Sequence, residues 1–393
     1  MGVPHPIGMA TTEQQPVEQV SVPRMRVRIS GFVVVVQLIL FLAHWFVYET
    51  NAFFWPELDA RQTTILRICT LLLSVSFVAA SLLAFRYWNA FVRGFYRAAA
   101  VWLGFLNFLF LAACSAWVVY VVALLLRIPV ARTEVGTVTF GLAALLGVYG
   151  VANAQWIRVK RITVELPNLP SAWRGRVAAV VSDVHLGHVN GAGFLQRMVR
   201  KLARLRPDVV FLPGDLYDGS KVDVDAVVAP LRELAPPFGA YFVTGNHEEF
   251  SDRTKYFEAV RRTGVRVLNN EKLSLEGLQV VGVHDRESSD PGRFQMILES
   301  AGLDRRRASI LLTHVPRRLG IAEEAGISLQ LSGHTHGGQI PPSTWLTQRI
   351  FGAYTYGLKR FGDLLVYTSS GAGTWGPPMR VGTAPEIVLI EFK

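Results

Sequence analysis

The first 157 residues contain four long, almost wholly apolar runs separated by short polar segments. These runs cover residues 32–48, 64–85, 98–126 and 136–156. A helix needs about 20 apolar residues to cross a bilayer, and each run meets or approaches that length. We therefore predict four transmembrane helices. A signal peptide is the competing interpretation of the first run, but three further runs follow it.

The pattern changes after residue 158. Short apolar runs then alternate with helical periodicity and are separated by Gly, Pro and Asp, which is typical of a layered α/β domain. The predicted strands cover residues 177–181, 209–212, 240–243, 280–283, 310–312, 327–331, 364–367 and 387–392, and the predicted helices cover 194–205 and 224–234. The chain thus divides into a disordered tail over 1–28, a four-helix transmembrane region over 29–157 and a second domain over 158–393.

Composition and charge agree with a membrane protein. The chain of 393 residues is 50% apolar, and its net charge is +10. A positive protein suits anionic lipid surfaces or phosphate-bearing ligands, although charge alone does not distinguish these from nucleic acid. We expect no nucleic-acid partner. The two cysteines, Cys69 and Cys114, lie in apolar runs, which argues against a disulfide scaffold or a thiolate metal site.

The distribution of basic residues predicts the orientation in the membrane. Nine basic residues flank the spans on the side of the second domain, and three flank them on the other side. The nine are Arg24, Arg26, Arg28, Arg86, Arg93, Arg97, Arg158, Lys160 and Arg161, and the three are Arg61, Arg127 and Arg132. Because cytoplasmic flanks carry the excess of Lys and Arg, we expect a protein of the cytoplasmic membrane with its second domain in the cytoplasm.

Two histidines follow the predicted strand at 327–331, in the sequence Gly333-His334-Thr335-His336. In an extended segment side chains two residues apart point the same way, so both imidazoles can face one pocket and bind metal. The alternative interpretation is a pair of surface histidines in a polar loop. Polar residues at other strand ends decide between the two.

Candidate metal ligands follow four other predicted strands. They are Asp183 and His185, Asp215 and Asp218, Asn246 and His247, and His314. Each alone has a structural explanation, since Asp183 can cap a turn and His314 can be a core residue. Together with His334 and His336, however, these segments hold five of the nine histidines. Ligands of α/β domains bind at the carboxyl ends of strands, so the set predicts a metal centre there.

These segments resemble the motifs of the calcineurin-like metallophosphoesterase family over roughly residues 160–393. The motifs are Asp-x-His, Gly-Asp-x-x-Asp, Gly-Asn-His-Glu, a single His and Gly-His-x-His, in that order. The resemblance implies a sandwich of two mixed β-sheets flanked by helices. The variant Gly-His-Thr-His-Gly-Gly-Gln and residues 369–374 are similar to a membrane-associated bacterial branch. That branch includes hydrolases of the lipid A precursor UDP-diacylglucosamine.

The resemblance also implies a role for each candidate residue. One divalent ion would be held by Asp183, His185, Asp215 and His336, and a second by Asp215, Asn246, His314 and His334. The ions would be Mn, Fe, Zn or Co, since the ligands are imidazoles and oxygens without thiolate. His247 would protonate the leaving oxygen or stabilise the charge that develops on it, and Asp218 would pair with His247, unless Asp218 only caps a turn. Glu248 matches the motif without an assigned role.

The resemblance implies hydrolysis of a phosphodiester or pyrophosphate bond, and the four spans favour a lipid or lipid-linked substrate. Two alternatives remain: a phosphoesterase for soluble nucleotides or phosphoproteins, and a transporter or sensor whose second domain is not catalytic. Residues 351–361 mix aromatic and basic side chains. That segment predicts either a loop dipping into the membrane interface or a hairpin whose rings pack on the sheet.

Overall fold

The computed structural model describes residues 23–393 except Leu58 and Ser251, with side chains from Gly31 onward. Four long helices come first: α1 (Pro23–Phe54), α2 (Ala60–Ala84), α3 (Ala90–Leu125) and α4 (Arg132–Gln155). Each is long and apolar enough to cross a membrane, as the sequence predicts. Residues 1–22 of the predicted tail lie outside the described residues. Its last residues belong to α1, which begins at Pro23.

Polar caps and small residues explain how the helix bundle forms. Asp59 and Gln62 form a capping box that starts α2, and the Asn89 side chain accepts a hydrogen bond from Val92 N at the start of α3. Large apolar side chains point outward: Leu72 and Leu125 are 65% and 75% exposed. The buried positions are mostly small, chiefly Ala80, Ala84, Ala99, Ala100, Ala113 and Ala116. Such packing is typical of helices in a bilayer.

The second domain contains two six-stranded mixed sheets packed face to face. In spatial order, the first consists of β1 (Arg158–Val164), β12 (Glu386–Phe392), β2 (Val177–Val180), β3 (Val209–Pro213), β4 (Ala240–Val243) and β5 (Arg266–Val267). The second consists of β10 (Gly357–Phe361), β11 (Leu364–Thr368), β9 (Leu329–Ser332), β8 (Ser309–Leu312), β7 (Leu278–Gly282) and β6 (Glu271–Leu275). Buried side chains such as Phe211 and Ile310 fill the space between them.

Helices cover the outer faces of both sheets. The first sheet packs against α5 (Ala192–Leu205), α6 (Val224–Val228) and α7 (Thr254–Arg261), and α8 (Asp285–Ser289), α9 (Pro291–Ser300), α10 (Leu319–Glu324) and α11 (Ser343–Phe351) follow along the chain. Helices α9 and α10 pack on the second sheet. The fold class predicted from the sequence is therefore confirmed. The helix predicted over 224–234 is shorter, because α6 ends at Val228 and a 3-10 turn at Ala229–Glu233 includes Pro230.

The segment 351–361 follows the hairpin alternative. Residues Gly357–Phe361 form β10, which pairs antiparallel with β11. The rings of Tyr354 and Phe361 contact each other, with their centroids 6.1 Å apart, and both rings pack on the core of the second sheet. On the preceding helix α11, in contrast, Trp345 and Ile350 are 60% and 65% exposed.

The bundle and the second domain are packed closely together. Gly104 of α3 lies against Met379, and a Cβ on Gly104 would lie 2.4 Å from the Met379 sulfur. Asn153 near the end of α4 donates hydrogen bonds to the carbonyl oxygens of Arg380 and Thr383, at 2.8 and 2.9 Å. Residues 333–342 and 374–384 therefore reach from the sandwich to the helices. Of these, Ile340 and Met379 share one apolar cluster with side chains of α3 and α4.

Candidate metal centre

The polar side chains predicted from the sequence meet at one edge of the sandwich. Loops after β2, β3 and β4 in the first sheet and after β8 and β9 in the second sheet carry them. The residues brought together are Asp183, His185, Asp215, Asn246, His247, His314, His334 and His336. All lie at the carboxyl ends of strands, as expected.

A first group consists of Asp183, His185 and His336. Each offers one ligand atom, and these atoms lie within 4.8 Å of one another. The Nε2 atoms of the two histidines face each other at 3.0 Å, and His336 Nε2 is 3.5 Å from Asp183 Oδ1. Two imidazoles and one carboxylate without thiolate form a set suited to a divalent transition metal.

A second group consists of Asp215, His314 and His334, also within 4.8 Å. His314 Nε2 is 3.1 Å from Asp215 Oδ2, and His334 Nδ1 is 2.9 Å from Asn246 Oδ1. Asp215 Oδ2 is also 3.7 Å from His185 Nε2 in the first group. Asp215 therefore lies between the groups, and its two oxygens suit a carboxylate shared by two ions.

The electrostatics of the described side chains favour bound cations. Burial, assisted by the charge of His314, lowers the pKa of His334 to about 3, and burial also lowers the pKa of His185 and His336 well below the ordinary value. These imidazoles are therefore neutral, as metal ligands must be. Burial opposes a proton on His314, yet Asp215 and Asp183 outweigh it and raise its pKa to about 10. The centre thus attracts positive charge, and its residues fit two divalent ions.

The backbone that presents these groups is not extended. Asp183, His185, Asp215, His334 and His336 have φ angles of 53°, 51°, 52°, 71° and 50°, in the left-handed region that non-glycine residues rarely adopt. The prediction that His334 and His336 lie in an extended segment is therefore wrong, although both do face the centre. Their loop turns at each histidine after β9 ends at Ser332. Such conformations are typical of functional sites.

Two glycines allow the loops to come this close. A Cβ on Gly333 would lie 2.2 Å from Asp183 Oδ2, and a Cβ on Gly245 would lie 2.1 Å from Asp215 Oδ1. Any larger residue would displace the carboxylate it faces. Both positions therefore require glycine for close approach rather than for a turn.

His247 lies beside the two groups. Its backbone N donates to Asp215 Oδ1 at 3.0 Å, and its Nε2 is 3.9 Å from Asp215 Oδ2. Its Nδ1 is 2.9 Å from the backbone carbonyl oxygen of Asp218, so Nδ1 carries the proton and Nε2 faces the centre. The contact predicted for the Asp218 side chain is made by its main chain instead. The Asp218 carboxylate accepts hydrogen bonds from the backbone N and hydroxyl of Ser220, as a turn-capping Asp does.

Glu248 has a structural role that the sequence does not reveal. Its side chain is fully buried, and Oε2 accepts hydrogen bonds from Asp215 N at 3.1 Å and Gly245 N at 2.7 Å. The other oxygen accepts from Tyr217 N at 2.8 Å. One carboxylate therefore joins the loop that carries Asp215 to the loop that carries Asn246.

Arg380 is a second residue that the sequence did not single out. It is fully buried, and its Nη1 donates to the carbonyl oxygen of His336 at 2.7 Å. Its Nη2 donates to the carbonyl oxygens of Ser370 and Gly373 at 2.7 and 2.6 Å. The guanidinium thus holds the His336 loop against the loop that enters the bundle. The only sequence signal for this buried role is an Arg within a Gly- and Pro-rich stretch.

The metal centre opens into a cavity of about 610 Å³ that the helix bundle helps to enclose. Its polar wall includes Asp215, Asn246 and His334, and its apolar wall includes Trp375. Leu103 and Asn107 of α3 also line the cavity. Asn107 donates a hydrogen bond to the Pro341 carbonyl oxygen at 2.8 Å, which fixes α3 beside the His336 loop. A membrane-spanning helix therefore forms part of the candidate site.

Known proteins share this domain. The family of calcineurin-like phosphoesterases matches residues 177–338. An uncharacterised metallophosphoesterase of Aquifex aeolicus is 33% identical over 259 residues, which is 64% of this chain and 98% of that protein. The chain belongs to the metallophosphoesterase family. Its similarity to this relative extends over nearly the whole of the shorter protein.

Two other members of the metallophosphoesterase family, both longer than the Aquifex aeolicus protein, are also similar to this chain. A transmembrane protein with a metallophosphoesterase domain from Danio rerio is 34% identical over 269 residues, and the match covers 64% of this chain and 61% of that protein. An uncharacterised metallophosphoesterase of Campylobacter jejuni is 34% identical over 239 residues, with 60% of this chain and 63% of that protein covered. The chain thus spans less than two thirds of these relatives' length.

Proposed function

We propose that the protein is a membrane-tethered, dinuclear metal-dependent phosphoesterase. Its substrate would be a phosphodiester or pyrophosphate in a lipid or lipid-linked molecule, such as a UDP-diacylglucosamine-like precursor. The observation that carries the proposal is a single cavity. It is lined by Leu103 and Asn107 of α3 and, from the centre, by Asp215, Asn246, His247, His334 and His336. We further propose that residues 158–393 are the catalytic domain and residues 29–157 its membrane anchor.

In this proposal each ion has its own ligands and shares one. Asp183, His185 and His336 would hold the first ion, and Asn246, His314 and His334 the second, with Asp215 shared. Two bound ions would lower the pKa of a water molecule and neutralise charge on the phosphoryl oxygens. Two observations support the assignment. The ligand atoms lie within 4.8 Å of one another in the group Asp183, His185 and His336 and in the group Asp215, His314 and His334. Asn246 Oδ1 lies 2.9 Å from His334 Nδ1.

His247 is proposed to handle the proton of the leaving group. Its Nδ1 hydrogen is held by the Asp218 carbonyl oxygen, so a second proton can reside only on Nε2, which faces the centre. The imidazolium can then donate that proton to the departing oxygen. Phe250 and Trp375 lie against the ring, with centroids 4.7 and 5.8 Å away, and restrict its orientation. Asp218 would act as a positioning residue through its main chain.

The lipid substrate is supported by the position of the cavity along α3, one of the four predicted spans. Arg97 is the last basic residue of α3 before its long apolar stretch. Leu103 and Asn107 follow it by roughly 9 and 15 Å along the helix axis, which is near the boundary between lipid headgroups and hydrocarbon. Helix α11, whose Ser343 and Thr347 line the cavity, also carries the exposed apolar side chains Trp345 and Ile350.

We also propose the cytoplasmic membrane, with the catalytic domain in the cytoplasm, on the charge distribution alone. A reporter fused after Lys393 tests this orientation. The proposal requires a cytoplasmic reporter such as green fluorescent protein to be active there. Alkaline phosphatase folds only outside the cytoplasm, so its activity when fused at the same position contradicts the proposed orientation.

The substrate class can be tested with the full chain in detergent and Mn²⁺. The panel contains bis(4-nitrophenyl) phosphate, cyclic AMP, a phosphoserine peptide, CDP-diacylglycerol and UDP-diacylglucosamine. The proposal predicts turnover of the aryl diester and of at least one lipid, with the higher kcat/KM on the lipid. Turnover of cyclic AMP or the peptide with none on either lipid assigns the protein to soluble substrates instead. Turnover of no substrate favours a transporter or sensor.

A further inference from the structure

An apolar groove runs along the outside of the bundle between α1 and α3. Its volume is about 540 Å³. Its lining residues are Ile39, Leu40, Leu42, Ala43 and Phe46 from α1, and Leu103, Leu106, Asn107 and Phe110 from α3. On α3 these positions follow the i, i+3, i+4, i+7 spacing of a single helix face. The groove therefore runs parallel to both helices for about 10 Å.

The groove adjoins the metal cavity. Leu103 and Asn107 line both of them. Asn107 is the one polar residue among those that line the groove, and it also lines the metal cavity. A ligand that fills both spaces is thus apolar along α1 and α3 and polar at the Asp and His cluster.

The groove is open towards the surface that faces lipid. Its floor contains Leu40 and Leu106, which are 9% and 4% exposed. Its rim contains Ile39 and Leu42, which are 60% and 62% exposed. An apolar chain can therefore enter sideways from the bilayer and does not need to cross water.

We propose that this groove holds an acyl chain of the substrate while the substrate's phosphate lies at the metal centre. The inference rests on the proposed lipid phosphoesterase function and adds a binding site for the tail. It requires lateral entry from the bilayer and a preference for long acyl chains. The shared lining of groove and cavity favours one amphiphile over a separate helix or a second copy of the chain as occupant.

A blocking substitution tests the groove. Ala43 lines it and is half-buried, so Ala43→Trp fills it, whereas Ala144→Trp adds the same bulk to an exposed position of α4 outside it. The probes are CDP-diacylglycerol with two eighteen-carbon chains and the same molecule with two six-carbon chains. In wild type we expect a higher kcat/KM for the long chains. Ala43→Trp should reduce the long-to-short ratio by about tenfold, because several methylene contacts are lost. Ala144→Trp should not change it.

A second measurement does not depend on turnover. Full-length His247→Gln protein in nanodiscs is photolabelled with CDP-diacylglycerol that carries a diazirine in one acyl chain. Saturable labelling of residues 39–46 and 103–110, reduced by Ala43→Trp, supports the groove. Labelling that does not saturate, or that falls equally on α2 and α4, identifies only surrounding lipid and overturns the inference.

The outcomes separate the two proposals. Turnover of bis(4-nitrophenyl) phosphate without turnover of any lipid refutes the lipid function, and the groove proposal falls with it. Cleavage of CDP-diacylglycerol with equal kcat/KM for both chain lengths refutes only the groove. An unchanged long-to-short ratio in Ala43→Trp does the same.

Discussion

Replacing Glu248 with glutamine should weaken metal binding although Glu248 is not a proposed metal ligand. The carboxylate accepts three backbone hydrogen bonds, from Asp215, Tyr217 and Gly245. The amide of glutamine has only one oxygen, so its NH₂ group must face at least one backbone N–H. A buried N–H left without an acceptor costs about 1–3 kcal/mol. We expect the free energy of unfolding to fall by about that amount.

The expected loss of metal affinity depends on which backbone N–H groups lose their acceptor. Oε2 accepts from both the Asp215 loop and the Gly245 loop, and Oε1 accepts from Tyr217 N of the Asp215 loop. Whichever way the glutamine amide turns, at least one N–H of the Asp215 loop loses its acceptor, so the shared carboxylate can move relative to Asn246. Loss of a group that orients metal ligands typically reduces affinity by about 10–100-fold. Calorimetric titration of the metal-free protein with Mn²⁺ measures this change. Chemical denaturation followed by circular dichroism measures the stability.

A matched control separates the specific effect from a general one. Glu323 is half-buried and accepts a hydrogen bond from Asp363 N at 2.9 Å, remote from the centre. Glu323→Gln should change stability only slightly and leave Mn²⁺ affinity unchanged. If Glu248→Gln reduces stability but keeps the wild-type Mn²⁺ affinity within about twofold, the carboxylate supports only the fold. The reasoning about loop position would then be wrong.

Three further predictions concern the centre and its contact with the bundle. His247→Gln should reduce kcat by about 100-fold or more while two Mn²⁺ ions still bind, and full activity would exclude His247 as the proton donor. His185→Ala and His334→Ala should each retain one ion per chain by elemental analysis after dialysis, whereas loss of both ions in either variant would contradict separate ligand sets. Gly104→Val should lower the free energy of unfolding by about 1–3 kcal/mol, because the added side chain overpacks against Met379. Adding Met379→Ala should recover part of that loss, and strict additivity would refute the contact.

Local patterns in the sequence were sufficient for much of the fold and the site. The strand predicted over 240–243 is β4 (Ala240–Val243), because a buried strand flanked by turns is a continuous apolar run. The proposed ligands were found for a similar reason, since each follows such a run directly. In contrast, β1 (Arg158–Val164) was missed because its three basic residues and partial exposure hide the apolar pattern.

Features that depend on distant parts of the chain were not predictable in this way. The contact of Glu248 with Asp215 N and Tyr217 N joins residues more than 30 positions apart. The sequence showed α3 as an apolar span and gave no sign that Leu103 would line the cavity. Burial of Arg380 similarly depends on where residues 374–384 meet the bundle. These contacts are set by packing between elements, which no periodicity within one element records.

The position of β12 has a consequence for biosynthesis. This strand lies between β1 and β2, pairing parallel with the first and antiparallel with the second. More than 200 residues separate Val180 at the end of β2 from Glu386 at the start of β12. Until residues 386–392 leave the ribosome, β1 has no partner strand and β2 has an unpaired edge, and both can bind other strands. The four spans are by then already synthesised. The nascent second domain therefore lies beside the membrane while its first sheet is still incomplete between β1 and β2.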